Sequence, residues 1–243
     1  KKAMADLDKL VGLPSVKRQI RRLVAQLRAQ QAREAAGLPN SQGAQHLAFL
    51  GPPGTGKTTV ARLLGRIFKA LGILVSDKVV ETERSGLVAE YIGQTAPKVN
   101  KIVDKAMDGI LFIDEAYTLS NDSDRDYGSE AIATLLKRME DDRDRLVVIL
   151  AGYPDEMEQL LSSNPGLRSR VSNILRFASF DADELHEIFK GMVQTADYDL
   201  TPEADTRAAE ICTLLRSGSD NRSFGNAREV RNVFEDSIAT QSV

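Results

Sequence analysis

His46-Leu47-Ala48-Phe49-Leu50-Gly51-Pro52-Pro53-Gly54-Thr55-Gly56-Lys57-Thr58 joins a short apolar run to a glycine-rich turn. The run reads as a buried strand of a parallel sheet. The turn fits G-x-x-x-x-G-K-[ST], placed after a strand and before a helical pattern, which is the context this motif requires. Glycines let the backbone wrap closely and aim N–H groups at phosphate oxygens. The helix that follows points its positive end at the same place. Lys57 is then expected to reach the β- and γ-phosphates of a nucleotide, and the Thr58 hydroxyl to bind Mg²⁺. Pro53, Gly54, Thr55, Gly56 and Thr59 complete the expected ATP-binding loop.

Downstream, Ile110-Leu111-Phe112-Ile113-Asp114-Glu115 is a second apolar run, ending in two adjacent carboxylates. Beside a phosphate loop, Asp114 is placed to hold Mg²⁺ through water and Glu115 to polarise the attacking water. Three more runs have strand character: 78–82, 146–151 and 174–177. Helical stripes lie between them, at Val99, Ile102, Val103 and Ala106, and at Ile132, Leu135, Leu136 and Met139. Strands alternating with helices predict an α/β domain with a five-stranded parallel sheet over residues 1–177. Its N-terminal helix is expected over 16–36, with Lys17, Arg18, Arg21, Arg22, Arg28 and Arg33 on a face that reads as solvated or, alternatively, as an interface with a neighbouring subunit or an anionic partner. Strand signals then stop. Residues 183–193, 202–217 and 226–240 read as helices, so 178–243 is expected to be a small all-helical lid. Thr201-Pro202-Glu203 marks a helix start, with Thr as cap and Pro at the first position.

Composition closes off several classes. Hydrophobic residues make up 42% and charged residues 28%, which fits a globular chain and not a disordered one. No apolar run approaches the ~20 residues of a membrane span. The net charge of −3, from 32 basic and 35 acidic residues, argues against broad nucleic-acid binding. Cys212 is the only cysteine, which excludes an internal disulfide and points to the cytoplasm. The two histidines, His46 and His186, stand far apart with no cysteine cluster, a poor basis for a transition-metal site. Lys1-Lys2-Ala3-Met4 lacks both an initiating Met and a secretory apolar segment, and reads as a trimmed start.

Together the two motifs resemble those of the AAA+ ATPases, and the resemblance extends further. Leu10-Val11-Gly12-Leu13 is similar to the entry segment that packs on adenine, which implies Val11 and Gly12 as ATP contacts. Asn164-Pro165-Gly166-Leu167-Arg168-Ser169-Arg170 resembles the segment carrying the arginine finger. The resemblance implies that Arg170, with Arg168 as second choice, reaches the ATP of a neighbouring subunit. Phe224-Gly225-Asn226-Ala227-Arg228 resembles the sensor-2 pattern and implies that Arg228 contacts the γ-phosphate of its own subunit. Tyr91-Ile92-Gly93 resembles the pore loop of remodelling members, whose aromatic grips an extended polypeptide. Lys98, Lys101 and Lys105 beside it read as a solvated helix face, with a lining of the pore entrance as the alternative. One departure stands out. The strand end Leu150-Ala151-Gly152-Tyr153 has no Asn or Thr to serve as sensor 1, and only Tyr153 could stand in.

The strings EYIGQTAPK, LFIDEAY, DYGSEAI, VVILAGY and NPGLRSR resemble the CbbX/CfxQ/stage-V-sporulation-K branch more closely, over about residues 10–237. That branch includes red-type Rubisco activases, and the ATPase domain of EccA-type secretion proteins resembles it too. The resemblance implies a hexameric, ATP- and Mg²⁺-dependent, chaperone-like remodeller of a protein client. A type VII secretion or sporulation role is the alternative within the family. A nucleic-acid motor and a nucleotide-gated scaffold are alternatives of other classes.

Overall fold

Short runs of strand character, too short for helices, form one parallel sheet. Among the described residues these are β1 (His46–Leu50), β2 (Val79–Thr82), β3 (Ile110–Ile113), β4 (Val147–Gly152) and β5 (Val171–Arg176). They pair in parallel in the order β2-β3-β4-β1-β5. β1, β3 and β4 are buried at every position, as central strands of such a sheet must be. The computed structural model describes residues 2–38, 45–120, 127–218 and 224–241.

The chain divides into two bodies. The first holds the sheet with residues 1–8, 14–50 and 57–176; the second holds 9–13, 51–56 and 177–243. Helices of the first body are α1 (Lys2–Lys9, whose last residue belongs to the second), α2 (Pro14–Ala35), α3 (Lys57–Ala70), α4 (Arg84–Leu87), α5 (Thr95–Ala106), α6 (Gly128–Asp141), α7 (Pro154–Ser163) and α8 (Pro165–Arg170). The stripes at 99–106 and 132–139 lie on α5 and α6. They pack with Met157 and Leu160 of α7 against Ala48, Leu50, Leu111, Ile113, Val148 and Leu150 of the sheet. Phe49 and Phe112 point to the opposite face, where their rings meet edge to face at 6.3 Å. Arg138 fastens α6 to α5 through Asp104 (2.8 Å) and Asn100 (3.1 Å), and pairs with Asp142 beside them.

β5 starts at Val171, three residues before the apolar run that marks it in sequence. It is an edge strand, so Ser172 and Asn173 are tolerated there without being fully covered.

The second body carries α9 (Ala182–Thr195), α10 (Pro202–Ser217) and α11 (Ala227–Gln241). Asp181 and Glu184 form a reciprocal capping box at the start of α9. Thr201 accepts from the Ala204 N–H (3.2 Å) with Pro202 behind it, the start its sequence requires. Phe189 and Phe234 meet edge to face at 6.1 Å between α9 and α11. Cys212 is buried on α10, and burial raises its thiol above the ordinary cysteine range. Among the described residues no helix is long and apolar enough to cross a membrane.

Candidate nucleotide site

In the second body the glycine-rich loop that follows β1 begins at Gly51, where a Cβ would collide with the backbone and side chain of Phe177. Gly54 (φ +69°) and Gly56 (φ +87°) both adopt the left-handed conformation that curls the loop's amides inward. Thr55 is fully buried and donates its hydroxyl to the Pro52 carbonyl (2.8 Å), which closes the turn from within. Pro53 lies on the same loop and is half-buried. Val11 and Gly12 belong to this body too, and Leu13 packs within 3.8 Å of the position a Cβ on Gly56 would take. Gly12 (φ +60°) has the Glu184 carboxylate where its side chain would be. Arg228 is exposed on the first turn of α11.

In the first body, Lys57 opens α3 and Thr58 follows it, both half-buried; Thr59 is exposed. Asp114 and Glu115 stand just past the C-terminal end of β3, and both are exposed. Their backbone is held: the Asp114 N–H donates to the Thr82 carbonyl (2.9 Å), and the Glu115 N–H donates to Asp114 Oδ1 (3.1 Å). Glu115 has φ +47°, an uncommon left-handed conformation for a non-glycine residue. Its carbonyl accepts from the Thr118 N–H (2.9 Å) and from the Thr118 hydroxyl (2.7 Å), which anchor the turn. Arg84 donates in turn to the Thr118 carbonyl (2.5 Å). Burial, then the charge of Glu115, raises the Tyr117 phenol above its ordinary range. Thr118 and Arg84 lie outside the quoted motifs, and the Arg84 bond to this turn forms only once separate segments meet.

The strand end at Gly152 explains why no polar sensor stands there. A Cβ on Gly152 would lie 2.7 Å from the Tyr117 ring and 2.9 Å from Met157. The Tyr153 ring packs against Tyr117 instead, 6.2 Å between centroids.

Arg170 closes α8 with its guanidinium turned back. It donates to the Gly166 carbonyl (3.3 Å) and pairs with Glu140 (3.3 Å). Arg168 is exposed. Tyr91 and Ile92 are 66% and 84% exposed on the loop between α4 and α5, beside Gly93 at φ +76°. Lys98 does not lie idle on a wet face. Its ammonium donates to the carbonyls of Ser85 (2.7 Å) and Val88 (2.9 Å) and pins the base of that loop. The loop's other side is held by the Ala89 N–H, which donates to the buried hydroxyl of Thr95 (3.2 Å).

Comparison with known proteins bears on this geometry. The model of the ATPase family associated with various cellular activities (AAA) matches residues 47–179, and that of the AAA lid domain matches 181–243. Protein CfxQ of Xanthobacter flavus is 46% identical over 99% of this chain and 75% of its own length. Protein CbbX of Cereibacter sphaeroides is 44% identical over 97% and 76%. Stage V sporulation protein K of Bacillus subtilis is 42% identical over 98% and 74%. Among solved structures, a mutant of RuvB from Thermotoga maritima superposes with a TM-score of 0.57 at 21% identity, over 94% of this chain and 71% of its own. That last likeness is one of fold.

Proposed function

The chain belongs to the ATPase family associated with various cellular activities, and on that footing we propose that it hydrolyses ATP to drive remodelling of a protein client from within a ring of six subunits. The observation that carries the reading is the presence, in one body, of Lys57 and Thr58 at the start of α3 and of the exposed Asp114–Glu115 turn on a strained, anchored backbone.

Each side chain has a task that follows from its chemistry. The amides of Gly54–Gly56 and the first turn of α3 attract phosphate oxygens. Lys57 brings a point charge to the β- and γ-phosphates. Thr58 and Asp114 offer a hydroxyl and a carboxylate, a hard oxygen set that suits Mg²⁺, and would hold it. When bound, that ion neutralises charge on the phosphates. Glu115 orients the attacking water and accepts its proton. Val11 and Gly12 bind the adenine side. Arg228 serves the γ-phosphate from within the subunit, and Arg170 serves it from the neighbour. Tyr91, Ile92 and Gly93 grip the client by an apolar, mobile tip.

A Glu115→Gln variant tests the core of this reading. It is expected to bind ATP as wild type does and to lose about a hundredfold or more in kcat. Unchanged turnover would remove Glu115 from the role.

A nucleic-acid reading has one observation behind it, the exposed arginines 18, 21, 22 and 28 along α2. Arg21 is already paired with Asp8. Steeply salt-dependent binding of duplex DNA would favour that reading over a protein client.

A further inference from the structure

Asn226 has no accessible surface and holds a left-handed backbone, φ +51°. Its carboxamide joins three separated stretches of the second body. Oδ1 accepts from the Phe180 N–H (2.9 Å), on the segment that enters the lid. Nδ2 donates to the Pro53 carbonyl (3.1 Å) in the phosphate loop and to the Phe224 carbonyl (3.0 Å) in the turn before α11, with Ser179 Oγ at 3.5 Å. The neighbouring backbone repeats the link. The Ala227 N–H donates to the Gly54 carbonyl (3.2 Å), and the Gly225 carbonyl lies so close to Gly54 that any side chain there would strike it. A buried amide with its donors and acceptor all engaged fixes its partners tightly, because releasing any of them leaves an unpaired polar group away from water.

The residue type is specified by this geometry. The left-handed backbone disfavours most side chains, and asparagine tolerates it. Aspartate would aim carboxylate oxygens at two carbonyls in place of donors. Leucine or alanine would leave the Phe180 amide and the Pro53 carbonyl unsatisfied.

We infer that Asn226 is a positioning residue. It clamps the phosphate loop at Pro53–Gly54 to the first turn of α11, so that Arg228, two residues on, moves with the loop. The inference rests on the reading of Gly51–Thr58 as the ATP site. Occupation of the loop by phosphate is thereby passed to the lid helix through hydrogen bonds and not through diffuse packing.

The test combines kinetics with hydrogen exchange. Asn226→Gly keeps the left-handed backbone at no steric cost and deletes the carboxamide's bonds, leaving only the backbone bond from Ala227; Asn226→Asp keeps the shape and removes the donors. Both are expected to lose about tenfold in kcat with KM for ATP within about threefold, since a mispositioned group costs more in the transition state than in binding. In wild type, a non-hydrolysable ATP analogue should slow exchange at 51–58 and also at Phe180 and 224–231. In Asn226→Gly the protection at 51–58 should persist while that at 224–231 is lost. The wild-type arm needs no variant to fold. Protection confined to 51–58 in wild type overturns the inference. So does an Asn226→Gly variant that keeps both its kcat and its protection at 224–231. A wild type with no protection at 51–58 overturns the ATP-site reading and this inference with it.

Discussion

Both ring nitrogens of His46 are committed. Nδ1 accepts from the Val148 N–H (3.0 Å), which leaves Nε2 to donate to the Met139 carbonyl (2.9 Å). Only the neutral imidazole can make this pair of bonds. Burial is the main influence on His46 and lowers its pKa; the Met139 bond opposes it. In the unfolded chain the ring titrates near 6.5. The native form resists the proton that the unfolded form takes up, so His46 contributes stability that is fully present above about pH 6.5. That contribution is lost as pH falls from there through the lower native value. The thermal midpoint of wild type is therefore expected to fall more between pH 7 and pH 5 than that of His46→Gln, whose amide does not titrate. Parallel curves would show that the histidine carries none of the acid sensitivity.

At the scale of elements, the loop between α4 and α5 combines two properties. Its tip, Tyr91–Ile92, is exposed, while its base is pinned by Lys98 and Thr95. A tip with few contacts on a fixed base can move without disturbing the sheet. Tyr91→Ala is expected to hold ATP turnover within about twofold and to abolish unfolding of a test protein, since the lost contact area belongs to the client and not to the core. Normal unfolding by that variant would remove the loop from client contact. Such elements differ in how openly the sequence declares them. Central strands β1, β3 and β4 are legible as apolar runs because both faces are buried. The start of β5 is not, because an edge strand tolerates Ser172 and Asn173. The glycine-rich loop and the acid pair of the proposed site stand out in the sequence because the chemistry proposed for them calls for specific residue types at fixed spacing. The supports behind them do not. Thr118 acts through its backbone and a hydroxyl that serine could equally supply, and Asn226 acts only because remote segments meet around it.

For the whole molecule, Arg170 poses the question of assembly. In the single chain its guanidinium rests on Glu140 and the Gly166 carbonyl. A half-covered ion pair of this kind is worth little and can be exchanged for a phosphate. Specific ATPase activity of wild type is expected to rise with protein concentration as subunits join, and Arg170→Ala to stay at least about a hundredfold lower throughout. Activity independent of concentration, unchanged in Arg170→Ala, would dispose of a site completed in trans. If Arg168→Ala alone reproduces the loss, the exposed arginine is the finger.

The burial of Cys212 has a practical side. The chain's single thiol is 3% exposed, and burial holds it protonated, so it reacts sluggishly with alkylating dyes. The native sequence is thus a ready background for site-directed labelling. A cysteine introduced at Ile92 would take a fluorophore almost alone, and its emission would report the motion of that loop during turnover without any prior stripping of native thiols.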